Sequence, residues 1–222
     1  TLGYKALAMV PIELIERIEV IRGPRAAWYG ADALSGVIAI TTRNASGVEL
    51  NVNGGSFGQA GADVNASHQE GALTVQATAG YSRADGFNVR KDLDPDRDGY
   101  NQRFAKLAAG YQSAIGLWRA QFDINSGYYQ FDTNPVYDNK DQAKTLGRTY
   151  LLGWEHQHGQ WQHKAQLSRV LDDDTTYGPD SRSPFITERD EFSYQSSVAI
   201  NEQLSWLGGV NWYSENVERS GL

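Results

Sequence analysis

Four carboxylates alternate with other residues in Asp92-Leu93-Asp94-Pro95-Asp96-Arg97-Asp98-Gly99. Alternate spacing turns several oxygens toward one point, and the closing glycine lets the chain bend sharply, which is a common way for a loop to surround a hard cation such as calcium. The run is not an EF-hand. Counted from Asp94, the position that needs a bidentate glutamate is Ala105, and no helical pattern flanks the loop. The plainer alternative is a solvated acidic loop. His156, His158 and His163 flank one tight turn and form a weaker, transition-metal set; turn-flanking polar residues explain them more simply. No nucleophile, base and orienting group stand together in the sequence, which argues against an enzyme. With no cysteine there is neither a disulfide framework nor thiolate chemistry.

The elements that must position the acidic loop are strands. From Val48 onward no amphipathic helix of useful length occurs. Leu73, Val75, Ala77, Ala79 and Tyr81 alternate with Thr74, Gln76, Thr78, Gly80 and Ser82, and Trp118, Ala120, Phe122 and Ile124 alternate with Arg119, Gln121, Asp123 and Asn125. Further apolar faces come from Tyr150, Leu152 and Trp154, from Trp161, Ala165 and Leu167, and from Phe192, Tyr194, Val198 and Ile200. Strands are predicted near Val48 to Gly54, Ala60 to Gln69, Ala72 to Arg83, Arg103 to Gln112, Leu117 to Tyr129, Leu146 to His156, Gln160 to Leu171, Phe192 to Asn201 and Ser205 to Ser214. Short turns at Glu70-Gly71, around Ala114, at His158-Gly159-Gln160 and near Glu202 alternate with long polar connections at Ala84 to Asn101, Phe131 to Leu146 and Asp172 to Asp190. That rhythm, with aromatics close to strand ends, is that of a transmembrane β-barrel with short periplasmic turns and long extracellular loops. A soluble β-sandwich also alternates, but it needs a dry core, and polar faces this rich in Gln, Asn, Arg and Asp fit a lumen better.

The formal charge of −7 disfavours nucleic acid as a partner. A mean hydropathy of −0.53 and the lack of any run of about eighteen apolar residues exclude a membrane helix. Neither counts against a barrel, which hides its membrane signal in alternation.

Before the strands, Ile15-Glu16-Arg17-Ile18-Glu19-Val20-Ile21-Arg22-Gly23-Pro24 runs on to Tyr29-Gly30 and Ser35-Gly36-Val37-Ile38-Ala39-Ile40. This resembles the end of the plug domain of TonB-dependent outer-membrane transporters, where a strand reading roughly IERIEVIRGP precedes YG…A…GGVINI. Ser35 and Ala39 depart from the usual glycine and asparagine. The resemblance implies an all-β membrane protein of the bacterial outer membrane. Residues 1–44 would be the C-terminal part of a small α+β plug, and residues 45–222 the N-terminal part of an incomplete antiparallel transmembrane barrel. Ile15 to Ile21 and Val37 to Thr41 are then expected in one small mixed sheet inside the barrel, joined by a helical turn near Ala26 to Tyr29. Transporters of this kind pair the plug with about 22 strands, so the 222 residues here read as a fragment. The segment gripped by TonB and the closing strands would lie elsewhere.

The stretch from Gly80-Tyr81 through Gly86-Phe87-Asn88-Val89 to Asp96-Arg97-Asp98-Gly99-Tyr100 resembles an extracellular loop of the cobalamin (vitamin B12) receptors. In that subfamily this loop and the next bind calcium, which orders them for corrinoid capture. The resemblance implies Asp94, Asp96 and Asp98 as ligands in the first loop, and Asp132 and Asp141 in the second. Asp94 replaces a glutamine of the subfamily, Asn88 replaces an aspartate and Phe131 a tyrosine; Asp138 is a neighbouring substitute for Asp141. Calcium is the implied cofactor. The implied partners are TonB, cobalamin or another small ligand, and outer-membrane lipid and lipopolysaccharide, for a protein monomeric at full length. A ferric siderophore is the alternative ligand, and a secreted acidic carbohydrate hydrolase with paired carboxylates the remote rival. Arg17, Arg22 and Arg25 are expected to face carboxylates of the barrel wall rather than an anion, and Asp172-Asp173-Asp174 to open a solvated extracellular loop.

Overall fold

A computed structural model describes residues 15–23, 35–43, 47–88, 96–132, 141–178 and 181–219. Two short strands, β1 (Ile15–Arg22) and β2 (Gly36–Thr42), pair antiparallel with Ile18 opposite Ile40 and Val20 opposite Ile38. The amide of Gly23 donates to the Ser35 carbonyl at 3.0 Å and closes the pair. Both strands were predicted; among the described residues their sheet is purely antiparallel, and the helical turn expected near Ala26 lies outside them. Ile18 and Val20 are 55% and 66% exposed, so the described residues do not supply the burial expected of this face.

Nine strands follow: β3 (Gly47–Gly54), β4 (Ala60–Glu70), β5 (Leu73–Phe87), β6 (Asp98–Ser113), β7 (Gly116–Gln130), β8 (Gln142–His158), β9 (Trp161–Tyr177), β10 (Arg182–Ala199) and β11 (Ser205–Arg219). They form one sheet in sequence order, each antiparallel to the next. Because neighbours in sequence are neighbours in space, every connection is a hairpin, and turns at 71–72, 114–115 and 159–160 share one end of the sheet. Gly71, at φ +57°, and Gly159, at φ +59°, supply the left-handed residue that such tight turns require.

Burial on this sheet is the inverse of that in a soluble protein. One face carries buried Asp63, Asn65, Gln76, Thr78, Ser82, Lys106 and Thr145, while the other leaves Val48, Leu50, Val52, Leu107, Leu152, Leu167 and Trp212 open. On β3 to β5 the polar face bonds within itself. Asp63 accepts from Asn51 Nδ2 at 2.9 Å and Asn65 Nδ2 at 3.0 Å, and Thr78 Oγ1 donates to Asn65 Oδ1 at 2.7 Å. No second sheet covers the Trp118 to Ile124 face among the described residues, and Trp118 itself is 37% exposed. Open apolar surface of this extent is stable only against another apolar medium. At the turn end of this outer face, Trp118 packs on Trp154 and Trp161 on Trp206, with ring centroids 6.3 and 5.6 Å apart. Trp154 Nε1 donates to the Ile115 carbonyl at 2.8 Å, anchoring an aromatic belt whose polar edges face the water boundary.

The strands exceed their predicted lengths at the other end. β5 runs to Phe87, β6 starts at Asp98, β8 at Gln142, β9 ends at Tyr177 and β10 starts at Arg182. The sequence boundaries followed the loss of apolar residues. Above the apolar band, however, both faces of the sheet meet water, and backbone pairing continues without a greasy side. Asp172 to Asp174 therefore belong to β9, paired with Gly147 to Thr145 of β8, and Asp174 is 6% exposed. Among the described residues of the loop expected over 172–190, only Gly178 and Ser181 lie outside a strand.

Candidate metal site at the loop end of the sheet

The acidic residues are held by the tips of β5 to β8. Gly86, at φ +72°, sits in a register shift between Ala84 and Phe87, after which Phe87 pairs with Asp98. The amides of Asp85 and Gly86 both donate to the Phe57 carbonyl, at 2.9 and 3.2 Å, so the β3–β4 hairpin grips the shifted segment. A Cβ on Gly86 would run into the Asp98 carbonyl; only glycine lets the tip of β5 lie this close to the start of β6. Gly99 N donates to the Arg97 carbonyl and to Gln130 Oε1, each at 3.2 Å, which ties the acidic turn to the end of β7. Phe131 N donates to the Asp141 carbonyl at 3.1 Å and closes the base of the second loop, so each loop is fastened to the end of β7 or β8 before any ion is considered.

Asp96, Asp98 and Asp132 come together here, each offering a carboxylate oxygen within 4.8 Å of the others. Asp132 comes from the second loop, so the convergence joins two segments more than thirty residues apart in sequence. Oδ1 of Asp96, Oδ2 of Asp132 and Oδ1 of Asn88 are buried atoms. Packing like charges at this separation is unfavourable unless a cation or protons compensate. An all-oxygen set of carboxylates suits a hard divalent ion such as calcium. Asp141 is 4% exposed and is not one of the three converging carboxylates. Asp94 and Asp138 lie outside the described residues. Aromatic pairs flank the cluster, Phe57 with Phe87 at 5.2 Å and Tyr129 with Phe131 at 5.9 Å.

The histidines serve differently. His163 Nδ1 lies 2.9 Å from Tyr194 Oη and 3.1 Å from Ser196 Oγ, and His156 stacks on Trp154 at 5.6 Å. They join the aromatic belt and form no metal-sized group among the described residues.

Contacts between the two sheets were missed in the sequence. Lys106 Nζ donates to Thr42 Oγ1 at 2.8 Å, and Gln76 Nε2 donates to the Arg43 carbonyl at 2.9 Å. The end of β2 is thus bonded to the polar face of β5 and β6. The signal was present: alternation puts Lys106 on the polar face beside Phe104, where a lysine needs an acceptor. Of the arginines expected to face wall carboxylates, Arg17 pairs instead with Glu19 on its own strand at 3.4 Å.

Comparison with known proteins fits this geometry. The family described as TonB-dependent Receptor Plug Domain matches residues 1–37. The described part of that match is β1 and the start of β2, the strand pair bonded to the wall. The chain is similar to the TonB-dependent receptors, in its plug match and along its whole length. Its nine-stranded sheet has the fold of a segment of a β-barrel wall. Along its whole length it is 29% identical, over 236 aligned residues, to the Vitamin B12 transporter BtuB of Photobacterium profundum, of which it spans 38%. In fold it is similar to the siderophore receptor PiuA from Acinetobacter baumannii, with a TM-score of 0.70 at 12% identity, covering 94% of this chain and 36% of that receptor. The chain thus spans less than two fifths of either protein.

Proposed function

We propose that this chain forms the plug remainder (residues 1–44) and the first wall strands (residues 45–222) of a TonB-dependent transporter that takes up a corrinoid across the outer membrane, with calcium ordering its extracellular loops. The observation that carries the reading is the convergence of Asp96 and Asp98 with Asp132 at the loop end of the wall, in a chain similar throughout to a vitamin B12 transporter. Asp96, Asp98 and Asp132 would hold the ion, with Asp94 and Asp141 as further candidates. The ion would cancel the repulsion that opposes bringing the two loops together. The bonds from the Phe131 amide to the Asp141 carbonyl and from the Gly99 amide to the Gln130 side chain then hold the loops in the shape the ligand meets, so less ordering remains to be done on binding. No bond is made or broken in this cycle. The ligand passes inward when TonB, powered from the inner membrane, pulls on the plug, and the hydrogen bonds from Lys106 and Gln76 to β2 and its end are among those that must yield.

A ferric siderophore is the competing ligand, to which the likeness to a siderophore receptor lends only its fold. Titrating a full-length receptor that carries this sequence with cyanocobalamin, and separately with ferric siderophores, decides between them. Saturable binding of the corrinoid alone supports the reading; binding of a siderophore alone overturns it.

A further inference from the structure

Two departures from regular geometry meet at the loop end of β3 to β5, and each places a phenyl ring. The first is in the β3–β4 hairpin. Gln59 N donates to the Ser56 carbonyl at 3.2 Å, and the residues between, Phe57 and Gly58, have φ of +59° and +69°, the two positive angles of a type I′ turn. Such turns call for Asn, Asp or Gly at their centre. Phe57 is the one non-glycine residue with positive φ among the described residues. Holding a bulky residue there costs the folding equilibrium about a factor of ten. Burial returns little of this, because Phe57 is 60% exposed.

The second departure is the register shift in β5. Ala84 pairs with Tyr100 and Phe87 with Asp98, so β5 has one residue more than β6 over this interval. In an unbroken strand Phe87 would follow Tyr81 and Arg83 onto the outward face. The extra residue turns it to the other side, level with Asp98, which shares its face of β6 with Tyr100 and with Lys106, the residue bonded to Thr42 of β2. Re-aiming a side chain is a common use of a bulge. The turned Phe87 is itself 54% exposed, and its ring lies 5.2 Å from that of Phe57. The two irregularities form one unit, since the Phe57 carbonyl accepts from the amides of Asp85 and Gly86 inside the shift. Asp98, opposite Phe87, is one of the three converging carboxylates.

Folding of the wall requires neither departure. Asn-Gly would make the same turn without strain, and the exposed rings add little packing. Local rules broken without a gain in packing point to function. We propose that Phe57 and Phe87 form a preset contact for the transported ligand, taking an apolar or conjugated ring face of that ligand beside the acidic loops. Main-chain bonds already hold both rings, so little ordering is left for binding to supply. Lipid lies against the opposite face of the wall and does not reach them, whereas a ligand passing between the loops and the plug does. The proposal rests on the transport reading above but not on the choice between corrinoid and siderophore.

The test titrates a full-length receptor carrying this sequence, with calcium present, using cyanocobalamin, or a ferric siderophore if the parent binds only that. F57N should make the same turn with less strain, so its Tm should equal or exceed the parent's while its ligand affinity falls about tenfold. F57W, which restores a ring, should bind close to the parent, and F57L, with apolar bulk but no ring, should bind like F57N. A parent that binds only the siderophore overturns the corrinoid reading and leaves the comparison of variants intact; a parent that binds neither overturns both. F57N binding as tightly as the parent overturns the proposal. So does a fall in affinity matched by a fall in Tm, which would make the ring a brace for the hairpin. If F57N does not fold, F57G and F87T carry the same comparison, with full affinity in both as the contrary result.

Discussion

Gly86→Ala isolates the backbone geometry on which the acidic site depends. At φ +72° an alanine costs about 1–2 kcal/mol for the left-handed conformation alone. Its methyl group would also meet the Asp98 carbonyl and lie 3.0 Å from the Gly99 amide nitrogen. Those are main-chain atoms of a paired strand and cannot rotate away, so the register shift itself must move, at about 1–3 kcal/mol for overpacking. The total is about 2–5 kcal/mol. Gly71→Ala is the control. Its φ is +57°, but nothing lies within 4 Å of the added Cβ, so only the conformational cost applies, about 1–2 kcal/mol. Hydrogen exchange at Gly99, in a full-length receptor carrying each variant, reports local opening at the loop end, and urea unfolding reports the whole barrel. G86A should accelerate exchange at Gly99 and weaken calcium binding, whereas G71A should do neither. A G86A protein that exchanges and binds calcium like G71A would refute the claim that close approach of β5 to the start of β6 shapes the site.

Asn65→Ala removes a 1% exposed side chain that donates to Asp63 and accepts from Thr78. It should destabilise the wall by about 1–3 kcal/mol, read as a lower urea midpoint. Lys106→Met deletes the 2.8 Å bond to Thr42, a bond from a charged donor that contributes about 1.5–3 kcal/mol. Amide exchange in residues 36–43 should quicken while the barrel midpoint moves less. Glu155→Gln breaks pairs to Arg119 and Lys164 that are partly exposed, and should cost no more than about 1 kcal/mol, diminishing in high salt.

The existence and order of the strands were legible because alternation survives without tertiary information: Leu73 to Tyr81 and Trp118 to Ile124 each declare one face. Their upper ends were not legible. Thr175 and Asp174 sit in β9 although their polarity reads as loop, because pairing above the membrane edge needs no apolar face. Asp96 and Asp98 stood out by spacing, and the structure brings them to Asp132, which only the resemblance had suggested. The role of Gln130, which accepts from Gly99, depends on β6 and β7 ending side by side, and no local pattern announces it. Lys106 was hidden for a related reason: its acceptor, Thr42, belongs to the other sheet.

The central claim is that the carboxylates at the loop end form a cation site that prepares the ligand surface. Calorimetric titration of a full-length receptor carrying this sequence with cyanocobalamin, with and without calcium, compared with its D96A/D98A variant, tests it most directly. Calcium should raise the affinity of the parent and leave the variant, folded to the same extent, unchanged. A variant that retains the full calcium response would contradict the account, as would a parent that binds equally well with calcium chelated.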